Sequence, residues 1–231
     1  MIITNEYGTV NFDWKHYKKI MLSFSGGTDS ALLLWLSLME LENKKDTTIQ
    51  VFTGITPNKG KFKQLTSQEI FDFMRLKFFN VSDRVFDRII MYNYTQDELR
   101  DEQIRLQDLG MFDLRIYALT SNPPYEIMEK YDLLRKRIEK RDIEKNKKIW
   151  VENSRFHFHG PMYQPFVNVD KRWIAQCYHD FDLMDHIYPL TISCERLRET
   201  PDMIDNEEPC RHCWWCREKK MAFGTYDGGV V

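Results

Sequence analysis

No run of about 18 consecutive apolar residues occurs in the 231-residue chain, the length a membrane-spanning helix needs. The N-terminal segment, MIITNEYGTVNFDWKHYKK, is polar and mixed and lacks the apolar stretch of a secretory leader. These two absences predict an intracellular, cytoplasmic protein without a membrane partner. A dominant charge is also missing: 33 Lys and Arg balance 35 Asp and Glu, for a net charge of −2. Composition therefore argues against nucleic acid as the main partner. Five cysteines is an odd number, and four of them, Cys194, Cys210, Cys213 and Cys216, lie near the C-terminus. In a reducing compartment that clustering favours a metal over disulfides. There is no internal repeat. With 42 % apolar and 29 % charged residues, the chain has the composition of a globular protein. Its length suits one domain with a small appended module.

What is present is an alternation of short apolar runs and helical patterns. Residues 18–24, 47–53, 85–92 and 113–120 read as strands. Residues 29–42, 65–79 and 96–109 read as helices between them, and 171–186 as a further helix with Trp173, Ile174, Cys177, Phe181 and Met184 on one face. Cys177 there reads as a small core residue. The alternation predicts a Rossmann-like α/β fold, a parallel sheet with helices on both faces. Ligands of such sheets sit at the carboxyl ends of the strands. That edge gathers Ser25–Ser30, Thr53–Pro57, Asn93–Thr95 and Thr120–Pro124. Residues 126–149 carry nine basic and six acidic side chains, with Ile127, Tyr131, Leu134 and Ile138 at helical spacing. They read as a solvated helix or arm, the alternatives being a lid, a partner site or the arm of a homodimer. The expected organisation is a main domain over 1–190, with 126–160 as a variable insertion, and a cysteine module over 191–231.

The sequence IMLSFSGGTDSALLLWL places Ser25-Gly26-Gly27-Thr28-Asp29-Ser30 between the first strand and a helix that is apolar on nearly all sides. A strand entering a helix through a tight loop aims free backbone N–H groups and the helix dipole at one spot. Glycines let an anion approach the backbone. The hydroxyls of Ser25, Thr28 and Ser30 add donors, so the stretch reads as an anion cradle. It is neither G-x-x-x-x-G-K-[ST] nor G-x-G-x-x-G, since no lysine follows the glycines. Asp29 beside an anion makes sense as a Mg²⁺ ligand or as a helix N-cap. A plain strand-to-helix turn is the alternative.

The cysteines follow C-x15-C-x2-C-x2-C. Thiolates at this spacing can close a tetrahedral Zn²⁺ site with Zn–S bonds of about 2.3 Å, and four sulfurs leave no open position, which marks a structural site. Alternatives are His212 or His186 in place of one thiolate, an iron–sulfur cluster, or unmetallated core cysteines. Trp214 and Trp215 are placed to shield the site.

The motif S-G-G-x-D-S, met by Ser25, Gly26, Gly27, Asp29 and Ser30, resembles the PP-loop of the N-type ATP pyrophosphatases in the adenine nucleotide α-hydrolase-like superfamily. With the four-cysteine tail and the stretch QPFVNVDKRWIAQCYHDFDLMDHIYPLTISC, the chain is similar to the QueC/ExsB family, the 7-cyano-7-deazaguanine (preQ0) synthases. The resemblance implies ATP, Mg²⁺ and Zn²⁺ as cofactors, with ATP held by residues 23–30: Ser23, Phe24, Ser25, Gly26, Gly27, Thr28, Asp29 and Ser30. Phe52 and Thr53 fall where superfamily members hold adenine. Asp29, Ser30 and Lys171 are the implied catalytic residues, with Lys171 as the cation for the phosphates. The implied substrates are 7-carboxy-7-deazaguanine and ammonia. The middle of the chain departs from the family: no VPGRN-like segment is found, and TGITPNKG stands where YGQ is usual. His157 and His159 alternate there as on a strand, candidates for substrate contacts or acid–base groups, the alternative being an exposed strand pair. Two other functions fit the motifs. One is a PP-loop enzyme that adenylates another acceptor, in thiolation or amidation of a nucleoside or tRNA. The other is a non-catalytic zinc-containing binder of nucleotide or nucleic acid.

Overall fold

A computed structural model describes residues 1–55, 60–92, 94–133, 148–151, 160–194 and 209–229, apart from the side chains of 60–65 and 96. His157, His159, Asn93 and the most basic part of the charged segment, 134–147, lie outside the described residues.

Ala31 to Leu36 are apolar all round the helix, so it has to be covered on all sides. Helix α1 (Thr28–Asn43) accordingly buries twelve of its residues. It follows β3 (Lys19–Ser23), the third strand in the chain because a hairpin, β1 (Ile2–Asn5) and β2 (Gly8–Asn11), precedes it. The sequence reading had no counterpart for that hairpin. Its four-residue strands lack strong alternation, and it is fixed by distant contacts: Asn5 Nδ2 donates to Trp173 O, and Trp173 Nε1 to Gly8 O.

The main sheet runs β5-β4-β3-β6-β8-β7, from β4 (Thr48–Ile55), β5 (Val85–Tyr92), β6 (Leu114–Ile116), β7 (Trp150–Val151) and β8 (Met162–Tyr163). All neighbours are parallel except β7 and β8. Between the strands run α2 (Gly60–Lys77) and α3 (Gln96–Asp108), and later α4 (Tyr125–Lys130), α5 (Lys171–Asp180) and α6 (Trp214–Phe223). The α/β fold with helices on both faces is as expected. β3 shows why: Ile20 and Leu22 face a large core shared with α1, α2 and α5, while Met21 faces a small one with Phe52, Leu106 and Phe112 under α3. No helix of the described residues is long and apolar enough to cross a membrane.

Three expected elements end early. The fourth strand stops at Ile116, not 120. Helix α5 stops at Asp180, not 186, because Asp182 takes φ 56° and Leu183 N–H turns back to Tyr178 O. Of the helix expected over 126–149, the described residues keep only α4, which ends where Asp132 takes φ 52° and Leu133 N–H returns to Met128 O. The C-terminal segment packs on the sheet domain, with Phe223 stacked on Tyr188 at 4.6 Å and edge-on to Tyr178.

Candidate functional site

The cavity at the carboxyl ends of β3, β4 and β6 has a volume of about 290 Å³. One side of it is the glycine loop. Gly26 has φ +76°, and a Cβ there would stand 2.7 Å from Ser67 Cβ, so only glycine fits. Ser30 Oγ organises the turn: it donates to Gly27 O (3.1 Å) and lies 3.1 Å from both Ser25 N and Ser25 Oγ. The N-cap of α1 is Gly27, with extended backbone. Asp29 is therefore not the cap; it sits in the first turn with its carboxylate lining the cavity. The first-turn N–H groups have no intrahelical acceptors, which leaves the helix end suited to an anion. Tyr178 donates its hydroxyl to Thr28 O at 3.0 Å and braces the turn from below. Burial holds the Tyr178 phenol well above its ordinary range, so it stays a donor.

Lys171 reaches this loop from the first position of α5. Its neighbour Asp170 is the N-cap, accepting from Arg172 N–H at 2.8 Å and pairing with the Arg172 guanidinium. That cap fixes where the helix starts and so where Lys171 points. Lys171 Nζ donates to Asp29 Oδ1 at 2.5 Å and to Thr28 Oγ1 at 3.3 Å, and lies 3.7 Å from Glu218 Oε2. The structure thus joins residues separated by more than half the sequence. Of the nucleotide-binding residues expected from the sequence, Ser23, Phe24, Ser25, Gly27, Thr28, Asp29, Ser30 and Phe52 line the cavity, together with Lys171. Gly26 abuts Ser67 instead, and Thr53 is buried outside the lining.

The other side lies under α3; of its residues the sequence placed only Tyr94, within Asn93–Thr95, at this edge, and Arg115, Tyr117 and Gln103 were missed. Arg115 on β6 is buried, donates from Nε to Ser23 Oγ at 3.2 Å and stacks over Tyr117 at 5.2 Å. Desolvation lowers its pKa to about 10, which leaves it cationic at neutral pH. Gln103 of α3 is 1 % exposed and lines the cavity. Its Oε1 has no hydrogen-bond partner among the described residues. Tyr94 closes this side over Gly54, where a Cβ would stand 2.7–2.8 Å from its ring. Burial raises the Tyr94 phenol above its usual range. The available signal was the period of α3, which puts Leu99, Gln103 and Leu106 on one face.

A second cluster lies behind the cavity. The sulfurs of Cys194, Cys210, Cys213 and Cys216 all lie within 4.8 Å of one another. Cys210 and Cys216 are 3.8 Å apart, close to the edge of a tetrahedron with bonds of about 2.3 Å. Backbone N–H groups point at the sulfurs: Cys210 N at Cys194, Cys213 N at Cys210 and Cys216 N at Cys213, at 3.4–3.5 Å. Such donors stabilise thiolates. Hydrogen bonds from the other three thiols hold Cys210 well below the ordinary thiol range, while hydrogen bonding among the sulfurs pushes Cys194 and Cys216 above it. An all-sulfur set of this shape fits Zn²⁺. No histidine joins it among the described residues, and His186 instead stacks on Phe73. Cys177 is a core residue as expected, its thiol pushed up to about 12 by burial. The two tryptophans divide: Trp214 packs with Met128 and Leu133, while Trp215 lies against the cysteines and also lines the cavity.

No family model matches the sequence, and no curated protein does. Among solved structures, the crystal structure of Candida glabrata FMN adenylyltransferase is similar, at 13 % identity and a TM-score of 0.38. The alignment covers 68 % of this chain and 44 % of that one, so the chain spans less than half the length of that protein. A likeness this weak adds no argument about the site.

Proposed function

We propose that this chain is an ATP-dependent adenylating enzyme of the PP-loop type, acting on 7-carboxy-7-deazaguanine and ammonia to give 7-cyano-7-deazaguanine. The observation that carries the reading is the convergence of Lys171 on Asp29 at the glycine loop. It supplies the cation that the loop itself lacks.

In this reading a carboxylate oxygen of the acceptor attacks the α-phosphorus of ATP. The bond to the β-phosphoryl oxygen breaks, and pyrophosphate leaves. Ammonia then attacks the acyl carbon, AMP leaves with the bonding pair, and the nitrogen loses a proton to give the amide. The amide oxygen attacks a second ATP in the same way, and loss of AMP and two protons gives the nitrile. The chain's own part is positioning and charge stabilisation. The loop amides and the Ser25 and Thr28 hydroxyls surround the pyrophosphate. Lys171 balances the charge that grows on it. Asp29 is the carboxylate that would hold Mg²⁺, whose contribution is to neutralise phosphate oxygens. The α3 side receives the acceptor, with Arg115 for its acid and Gln103 Oε1 for an N–H donor. The four cysteines would hold a structural Zn²⁺ that fastens the C-terminal segment. The proposed setting is the cytoplasm.

The test is release of AMP and pyrophosphate from ATP with 7-carboxy-7-deazaguanine and ammonium. Release that depends on that acid is expected. No release with that acid, alongside release with another acceptor, sinks the deazaguanine assignment. A protein that binds no ATP sinks the enzyme itself and leaves a non-catalytic binding role.

A further inference from the structure

Helix α6 starts inside the cysteine cluster and ends its first turns against the phosphate side of the cavity. Cys213 is its N-cap, its sulfur accepting from Cys216 N–H, and Cys216 sits in the first turn. The next charged pair along the helix, Glu218 and Lys219, is fully buried. Lys219 is satisfied within the C-terminal segment: Nζ donates to Asp227 (2.7 Å), Thr191 O (2.9 Å) and Thr191 Oγ1 (2.8 Å). Glu218 points the other way and sets Oε2 3.7 Å from Lys171 Nζ. Lys171, itself 3 % exposed, therefore stands between two carboxylates, Asp29 in the cavity wall and Glu218 behind it.

We infer that Glu218 is a positioning residue for Lys171, anchored by the cysteine cluster at the start of its helix. The inference rests on the adenylating function proposed above. A buried ammonium needs a carboxylate beside it to remain charged and in place. Asp29, 2.5 Å from Lys171 Nζ, fills that role. When a nucleotide polyphosphate and its cation arrive, Asp29 has a second claim on its oxygens, and Lys171 must turn to the phosphates. Glu218 is not among the residues that line the cavity. It keeps a counter-charge behind Lys171 throughout, so the lysine can release Asp29 without losing every partner. With a neutral group at 218, Lys171 has only Asp29 to pair with, and the two block the site together.

The test is calorimetric binding of α,β-methylene-ATP with Mg²⁺, an analogue that cannot be cleaved at the α-phosphorus. Glu218→Gln keeps the size of the side chain and should weaken binding about tenfold, the scale of removing one partner from a buried charged contact. Metal content should not change. In a Lys171→Met background the same substitution should have little further effect, because Glu218 acts through Lys171. Wild-type affinity in Glu218→Gln, or an equal loss in both backgrounds, overturns the inference. If Glu218→Gln does not fold, Glu218→Asp keeps the charge but withdraws it by one methylene, and wild-type affinity in that variant overturns it equally. A wild-type protein that fails to bind the analogue removes the adenylating function and this inference together. Tight wild-type binding with an unaffected Glu218 variant removes only the inference.

Discussion

The two sides of the cavity are built differently. The glycine-loop side rests on α1, which buries twelve residues, and on the large core of the sheet. It is closed from behind by the C-terminal segment, where Ile192 N–H donates to Gly26 O at 3.0 Å. The α3 side rests on the small cluster of Met21, Phe52, Leu106 and Phe112. It presents Gln103, Arg115 and two tyrosines, with Gln103 Oε1 unpartnered among the described residues. A loop braced by Ser30, Tyr178 and Ile192, with the free N–H groups of the first helical turn turned to the cavity, suits a ligand part that never varies, such as a triphosphate. A thinner wall with unspent hydrogen-bonding capacity suits the part that defines the acceptor.

Four substitutions should break that contrast, in descending order of effect. Cys216→Ser removes one of the four sulfurs that could hold a metal, and because metal binding energy becomes folding energy, the expected loss is several kcal/mol. Thermal melting and metal content should both fall, and nucleotide binding should fall with them because α6 carries Trp215 and Glu218 to the loop side. Asp29→Asn should lower turnover by about 10²-fold, the scale of losing one preorganised electrostatic contact. Its melting should stay near wild type, since Glu218 remains beside Lys171. Normal turnover would deny Asp29 its role. Gly26→Ala should destabilise by about 1–3 kcal/mol, since the backbone there is left-handed and Ser67 is in the way. Denaturant unfolding measures this. Gln103→Leu should do the reverse on the other side. Removing an unpartnered buried oxygen should leave stability unchanged or raise it by about 1 kcal/mol. Affinity for α,β-methylene-ATP should hold, while acceptor-dependent pyrophosphate release declines. A Gln103 variant that loses nucleotide affinity would mean the sides are not separate.

Legibility in the sequence follows the same division. The loop side is local: a strand, Ser25-Gly26-Gly27-Thr28-Asp29-Ser30 and a helix are contiguous, so their chemistry is visible in one stretch. The cysteine cluster is also compact in sequence over Cys210–Cys216, and its spacing alone marks a candidate metal site. Lys171 was reached only through the family resemblance, since 142 residues separate it from Asp29. The α3 side has no such signature. Arg115 and Tyr117 look like part of a strand, Gln103 looks like a polar residue on a charged helix, and only the sheet order brings them together. Asp29 as an N-cap failed for a local reason: the helix begins one residue before it, at Thr28. The early ends of α4 and α5 depend on Asp132 and Asp182 taking left-handed backbone, which residue type alone does not dictate.

The central claim is that the loop side holds ATP so that its α-phosphorus is the point of attack. ³¹P NMR of the protein with ATP, Mg²⁺, 7-carboxy-7-deazaguanine and ammonium reads this directly. The account predicts AMP and pyrophosphate in equal amounts, formed only when the acceptor acid is present and lost in Asp29→Asn. ADP and inorganic phosphate would place the attack at the γ-phosphorus and contradict it.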